Sequence, residues 1–282
     1  ASDRRSPLAG HRQSRYNCEA AKKHHHGRST RSMSLKIDLN CDMGESFGAY
    51  KMGLDEEIIK YVSSANVACG FHAGDPMWMR HTVRIAEEND VAVGAHPSFP
   101  DLNGFGRRDL GASPEETRND LVYQIGALQA FTSSKRLQHV KPHGAMYNRA
   151  VDDEPLARSI CDAVLEVDPN MVLVALAGSR WAAIAKEMGL RVAREIFADR
   201  ALNSDGTLVS RSQAGSVLHD VAEVVDRSLR MVMEGKATTV DGGEIEVQAE
   251  SLCVHGDTPG AVEMAKALRQ GLESANVEVV PV

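Results

Sequence analysis

One arrangement recurs down this chain and constrains its fold more than any other feature. A short apolar run ends in a histidine or an acidic residue, with a glycine or proline close by. The instances are IDLNCDMGE (37–45), CGFHAGD (69–75), VGAHPSF (93–99), VKPHGAMY (140–147), IFADR (196–200) and CVHGDTPG (253–260). Apolar runs of this length read as buried strands, and the Gly/Pro punctuation reads as the loops that follow them. Parallel strands that all end in polar, titratable residues gather those residues at one rim, which is how an active site is laid out on an α/β scaffold.

From Leu35 the pattern alternates. Candidate strands cover 35–40, 65–70, 91–96, 138–142, 171–177, 191–197 and 251–255; candidate helices cover 55–62, 76–89, 114–131, 153–166, 179–187, 214–234 and 258–274. The strands are rich in Val, Ile, Leu and Ala, as expected where both faces are covered. Ser113-Pro114-Glu115-Glu116 is a strong helix start, Asp257-Thr258-Pro259 is a second, and Gly189 and Gly235 close helices. Seven strand–helix units predict either a closed barrel or a doubly wound sheet. The barrel is preferred, because the polar ends are spread over nearly all the strands rather than concentrated at one switch point. Val277–Val280 reads as an eighth strand or a surface addition, and 97–113 and 198–213 read as long loops forming substrate walls or lids.

Residues 1–32 differ from the rest. They hold eight Lys/Arg against two acids, leaving residues 33–282 at −13 while the whole chain is at −7. This basic stretch lacks apolar periodicity and is expected to be disordered. Met33 opens the patterned region and reads as the natural start of a single barrel domain, 33–282. The acidic body argues against nucleic-acid and anionic-membrane partners. No apolar run approaches the ~18 residues of a membrane span. Five cysteines at 18, 41, 69, 161 and 253 form no CxxC pair, which fits a reducing, cytoplasmic setting.

Asp38, Asn40, Asp42 and Glu45 crowd the end of the first strand, with 38, 40 and 42 on one face. Converging carboxylates hold a proton tightly or bind a cation, and the competing reading is a turn cap. His72, His96, His143 and His255 follow the second, third, fourth and last strands. Such a set, with Asp38, His72 and His96 as candidate ligands, holds a divalent ion and activates water, or runs metal-free acid/base chemistry. Lys141 is a candidate for binding a substrate carboxylate or for a salt bridge at the rim. Asp199 and Arg200 resemble an acid–guanidinium pair, and Arg107 and Arg108 could clamp an anion. There is no GxxxxGK[ST] and no complete GxGxxG, so no ATP site of its own is visible. Cys41, Cys69 and Cys253 read as small buried residues.

Taken together, DLNCDMGESFG (38–48), NVACGFHAGDP (66–76), VGAHPSFPD and GFGRR (93–108), VKPHGAMYN (140–148), EIFADRALNSDGTLVSR (195–211) and CVHGDTPGA (253–261) resemble the LamB/YcsF family, the bacterial 5-oxoprolinase A subunits. The likeness spans residues 33–282 in order. Leu202 departs from it, standing where an aromatic is expected. The resemblance implies a seven-stranded β/α barrel of the glycoside hydrolase/deacetylase type. It also implies ATP-dependent opening of the lactam of 5-oxo-L-proline to L-glutamate with partner subunits B and C, which would bind most of the ATP. In that reaction Asp42 or His72 would act as base, with Asp38, His96 and His143 orienting water or a cation. Lys141 and Arg200, together with Asn40, Glu45, Asp199 and His255, would bind the substrate. The alternatives are a stand-alone metal-dependent deacetylase or amidohydrolase, and a non-catalytic substrate-binding subunit.

Overall fold

The first strand, β1 (Leu35–Met43), sets the plan of the protein. A strand sends successive side chains to opposite faces. Ile37, Leu39, Cys41 and Met43 enter the main apolar core. Asp38, Asn40 and Asp42 instead bond to side chains from other strands. The strand is therefore apolar towards the helices and polar towards the space inside.

The computed structural model describes residues 35–256 and 260–282; the basic stretch 1–32, Met33 and the Asp257-Thr258-Pro259 start lie outside the described residues. After β1 come α1 (Asp55–Ile58), β2 (Ser64–Ala68), α2 (Pro76–Glu88), β3 (Ala92–His96), α3 (Pro114–Gln129), β4 (His139–Val140), α4 (Gly144–Ala150), α5 (Glu154–Val167), β5 (Val172–Leu176) and α6 (Arg180–Glu187). Then follow β6 (Arg191–Phe197), α7 (Val221–Glu234), β7 (Lys236–Thr238), β8 (Glu244–Glu246), β9 (Ser251–Val254), α8 (Ala261–Ser274) and β10 (Val277–Val279). Strands β1 to β6 pair in sequence order, and β9 pairs with both β6 and β1. All these pairings are parallel, so seven strands close into a barrel, as the sequence predicts. Strand β10 adds to β1 at Leu35–Ile37, before the ring pairings begin at Asp38, and is an addition to the barrel rather than a member of it.

Local chemistry explains the helix starts. Ser113 and Glu116 form a reciprocal capping box on α3, and Asp75, Asp153, Ser179 and Asp220 cap α2, α5, α6 and α7 through their side chains. Helix α7 starts at Val221, not at 214 as expected. The intervening backbone is used elsewhere: Leu218 N–H bonds to the Asp199 carbonyl, and the Ser216 carbonyl accepts from Ala201 N–H. Helix α4 and the β7–β8 hairpin were not anticipated. Both are short, of seven residues and of three residues per strand, too few for an apolar period to repeat over a readable window.

The inside of the barrel is layered. At its base Val172, Val174 and Ala193 pack with Val282. Next comes Asp38, whose carboxylate accepts from Ser63 and Ser64 hydroxyls at 2.7 Å each and from Ser251 at 2.5 Å. Above it Asn40 donates to Glu195 (2.9 Å) and Ser251 (2.7 Å), Asn66 donates to Asn40 and Asp42 (2.7 and 2.8 Å), and His139 Nε2 lies 2.7 Å from Asn66 Oδ1. Gly94 on β3 makes room for this layer, since a Cβ there would stand 2.1 Å from the His139 ring. Buried polar groups of this density hold only because each finds a partner. Among the described residues no helix is long and apolar enough to cross a membrane.

Candidate active site

The strands deliver their last inward residues to a cavity of about 430 Å³ at the carboxyl end of the barrel. Its wall includes Asp42 from the end of β1, His96 from β3, Lys141 and His143 after β4, Phe197 from β6 and His255 after β9. The two long loops close it as expected: Phe105 and Arg107 come from 97–113, and Arg200 and Val209–Arg211 from 198–213.

Lys141 stands at the centre. Its ammonium donates to Asp42 (3.0 Å), Cys253 Sγ (3.1 Å) and Asn40 (3.2 Å) and forms an ion pair with Glu195 at 2.9 Å. Burial alone would discharge it, but the Asp42 charge, with Glu195 behind it, pushes its pKa well above the ordinary lysine value. The same contacts act on Asp42. Burial would raise its pKa, but His96 and Lys141 prevail and hold it well below the usual carboxylate range. Asp42, Cys253 and His255 also have donor atoms within 4.8 Å of one another. The Lys141 ammonium lies against two of the three and already supplies their positive charge.

A second pair faces the same cavity. His255 Nδ1 lies 2.9 Å from both oxygens of Asp199. Burial works against the charge on each, yet each sustains the other: Asp199 holds the His255 pKa above its ordinary value, and His255 keeps that of Asp199 below its own.

The remaining rim histidines form a compact cluster with Glu45. The rings of His72 and His143 stack at 3.8 Å, and His96 stands edge-on to both. His72 Nε2 lies 3.2 Å from Glu45 Oε1, and His143 Nδ1 lies 2.9 Å from His96 Nε2. Burial pushes the pKa values of His72 and His143 well down. Gly106, at φ +64°, lets the 97–113 loop press on this cluster; a Cβ there would meet His72 and His143 at 2.8 and 2.9 Å.

Several sequence expectations need correction. Asp38 is neither at the rim nor beside His72 and His96. Four residues of strand, about 13 Å, separate it from Asp42, and its oxygens are taken by the three serines. Burial raises its pKa, which also suits a structural role. Asn40 lies in the buried layer below the cavity rather than in its wall. His72 sits behind His143 and does not line the cavity. The cluster that could hold a cation contains His72 and His96 with Glu45 and His143, not Asp38. Asp199 and Arg200 do not pair with each other. Asp199 holds His255, while the Arg200 guanidinium donates to the carbonyls of Val209 (2.6 Å) and Ser216 (3.2 Å), tying down the 198–213 loop. Burial brings the Arg200 pKa down to about 10. Arg107 lines the cavity, whereas Arg108 pairs with Asp101.

Two residues were missed. His139 and Glu195 lie two positions before Lys141 and Phe197, on the same inward faces. The period of two along each strand was the signal that could have found them.

The sequence pattern of the LamB/YcsF family matches residues 37–282. The chain is 54% identical to the 5-oxoprolinase A subunit of Pyrococcus horikoshii over 249 residues, 88% of this chain and 98% of that one. It is 50% identical to the 5-oxoprolinase A subunit of Clostridium beijerinckii over 248 residues, 87% and 97% of the two chains. The crystal structure of the lactam utilization protein from Thermus thermophilus superposes with a TM-score of 0.83 at 50% identity, over 88% of this chain and 100% of that one. With the family pattern matched over residues 37–282 and about half of the residues identical over 88% of the chain, the chain belongs to the LamB/YcsF family.

Proposed function

We propose that this chain is the A subunit of an ATP-dependent 5-oxoprolinase, opening the lactam of 5-oxo-L-proline to L-glutamate together with the B and C subunits. The observation that carries this reading is the identity of about half or more, over nearly their whole length, to proteins named as A subunits of 5-oxoprolinase. The chemistry of the cavity agrees with it. A lactam is a poor electrophile. Phosphoryl transfer from ATP to its carbonyl oxygen gives an activated imidate, water adds to the carbon, the ring C–N bond breaks to leave the open-chain acyl phosphate, and a second water displaces the phosphate. The sum is 5-oxoproline, ATP and two waters giving glutamate, ADP and phosphate.

Within this reading 33–282 acts as one catalytic domain and the partner subunits hold most of the ATP, in keeping with a sequence that carries no GxxxxGK[ST] motif. Four buried cysteines kept as free thiols suit a cytoplasmic setting. Asp42, ionised beside the Lys141 ammonium, orients the attacking water and takes its proton. His255, charged by Asp199, gives a proton to the departing nitrogen; the raised pKa and the Asp199 contact support this acid role beside substrate binding. Arg107 and Lys141 set a positive wall for the substrate carboxylate and the phosphoryl oxygens.

The test is reconstitution. The chain is mixed with its two partner subunits, and glutamate release from 5-oxoproline is assayed with and without ATP, leaving out each component in turn. The expected result is ATP-dependent glutamate that vanishes when this chain is omitted. Glutamate release that persists without the chain, or none from an intact complex, overturns the reading.

A further inference from the structure

The rim histidines have too few hydrogens for the contacts they make. His96 Nδ1 lies 2.6 Å from the Lys141 carbonyl oxygen, and His143 Nε2 lies 2.9 Å from the Phe105 carbonyl oxygen. A carbonyl oxygen only accepts, so both of these nitrogens carry hydrogen. In the neutral rings His96 Nε2 and His143 Nδ1 are then bare lone pairs, and they face each other at 2.9 Å. Carboxylate oxygens add to the conflict: Glu45 Oε1 is 3.7 Å from His143 Nδ1, and Asp42 Oδ2 is 3.3 Å from His96 Nε2. Two bare nitrogens thus face each other at one buried spot with two carboxylates beside them, an arrangement that a bound cation resolves.

The geometry points to a divalent metal site formed by His96 Nε2, His143 Nδ1 and Glu45 Oε1, with the Asp42 carboxylate beside it. Two donors bound to one ion at about 2.0–2.1 Å stand roughly 2.9 Å apart in an octahedral arrangement and roughly 3.4 Å apart in a tetrahedral one. The separations of 2.9 Å (His96 to His143) and 3.7 Å (His143 to Glu45) lie close to these values. The outer hydrogen bonds to the Lys141 and Phe105 carbonyls are those that ligating imidazoles make, and they fix the tautomer that presents a lone pair to the ion. His72 is not a ligand. Its ring is parallel to that of His143, with 1° between the planes at 3.8 Å, so no ion can lie in both ring planes. It stands outside the three ligands, with Nε2 3.2 Å from Glu45 Oε1. Two imidazoles and a carboxylate suit Zn²⁺, Mn²⁺ or Co²⁺ better than Ca²⁺ or Mg²⁺. All three ligands line the cavity, so the ion would face the reacting lactam; that use, unlike the site itself, rests on the function proposed above.

The test is metal binding by the full chain, stripped with a chelator and titrated with Co²⁺ by visible absorption and with Zn²⁺ by calorimetry. A His96→Gln/His143→Gln double variant serves as reference, with near-ultraviolet circular dichroism to establish that it is folded. Any binding by His24–His26 is common to both proteins and cancels in the comparison. The wild type should bind one more ion per chain than the variant, and the cobalt absorption should vanish in the variant. Glu45→Gln, which keeps the shape and removes the charge, should weaken binding by more than the roughly 10- to 100-fold typical of losing an outer-shell partner. Equal binding by wild type and double variant overturns the site and leaves a proton shared between His96 and His143, whatever the glutamate assay shows. A bound ion in a complex that releases no glutamate upholds the site and overturns the lactam reading instead.

Discussion

Asp199 and His255 show how much a single side chain's partner decides. In the sequence Asp199 stands next to Arg200, and local spacing favours that pair. In the fold it holds His255, 56 positions away, at 2.9 Å through both oxygens. The role follows from the partner, and so do two expected outcomes. His255→Asn should lower kcat of the assembled complex by about 10²- to 10⁴-fold, the usual contribution of a positioned acid. Asp199→Asn removes the charge that raises the His255 pKa, so the imidazolium is lost at lower pH. The alkaline limb of the kcat–pH profile should therefore move to lower pH, and an unmoved limb would count against His255 as the acid. Rim residues were legible because each ends an apolar run. Their partners were not, because nothing local records which side chain arrives from another strand.

Strands and helices were largely readable, and the exceptions have causes. The start of α3 was visible as Ser-Pro-Glu-Glu because a capping box satisfies its own backbone donors within four residues. Ser113→Ala should cost about 1 kcal/mol in urea unfolding. The seven barrel strands were visible because one face of each is a run of core residues. The start of α7 was misplaced because 214–220 has helix-like composition but spends its hydrogen bonds on Asp199 and Ala201. Gly94 carries a different lesson. Within β3 it looks like a weak point, yet it is the seat of His139. Gly94→Ala should destabilise by about 3 kcal/mol or more, as overpacking of a fixed core does. In a His139→Ala background most of that cost should disappear, and a double-mutant cycle by denaturant unfolding reads the difference.

The barrel as a body is unusual for being polar inside and apolar outside. The helices cover its outer face with the main core, while Asp38, Asn40, Asn66, His139, Glu195 and Lys141 fill the interior with a connected hydrogen-bond network. This makes stability sensitive to acid. Burial, with the nearby Lys141 charge, pushes the His139 pKa down to about 3. The unfolded chain binds a proton near pH 6.5 that the native barrel refuses. The neutral residue's contribution is therefore complete above pH 6.5 and is lost as pH falls towards 3. Between pH 6.5 and 5 the wild type should lose about 2 kcal/mol more than His139→Gln in urea unfolding, and parallel pH dependences would refute the assignment.

The sequence by itself determined the strand–helix alternation, the helix caps, the end of the barrel at which the polar residues gather and, through its recurrent motifs, the family. Each of these is written in residues a few positions apart, where hydrophobic period and backbone capping act. Which polar groups meet was decided only when seven strands closed into a ring. Closure brought Lys141 onto Asp42 and Glu195, His143 onto His96, and His255 onto Asp199, and it sealed Asp38 beneath them. A strand's period tells which face a side chain takes, but the charge, proton or ion it shares depends on neighbours that reach it only through the closed barrel.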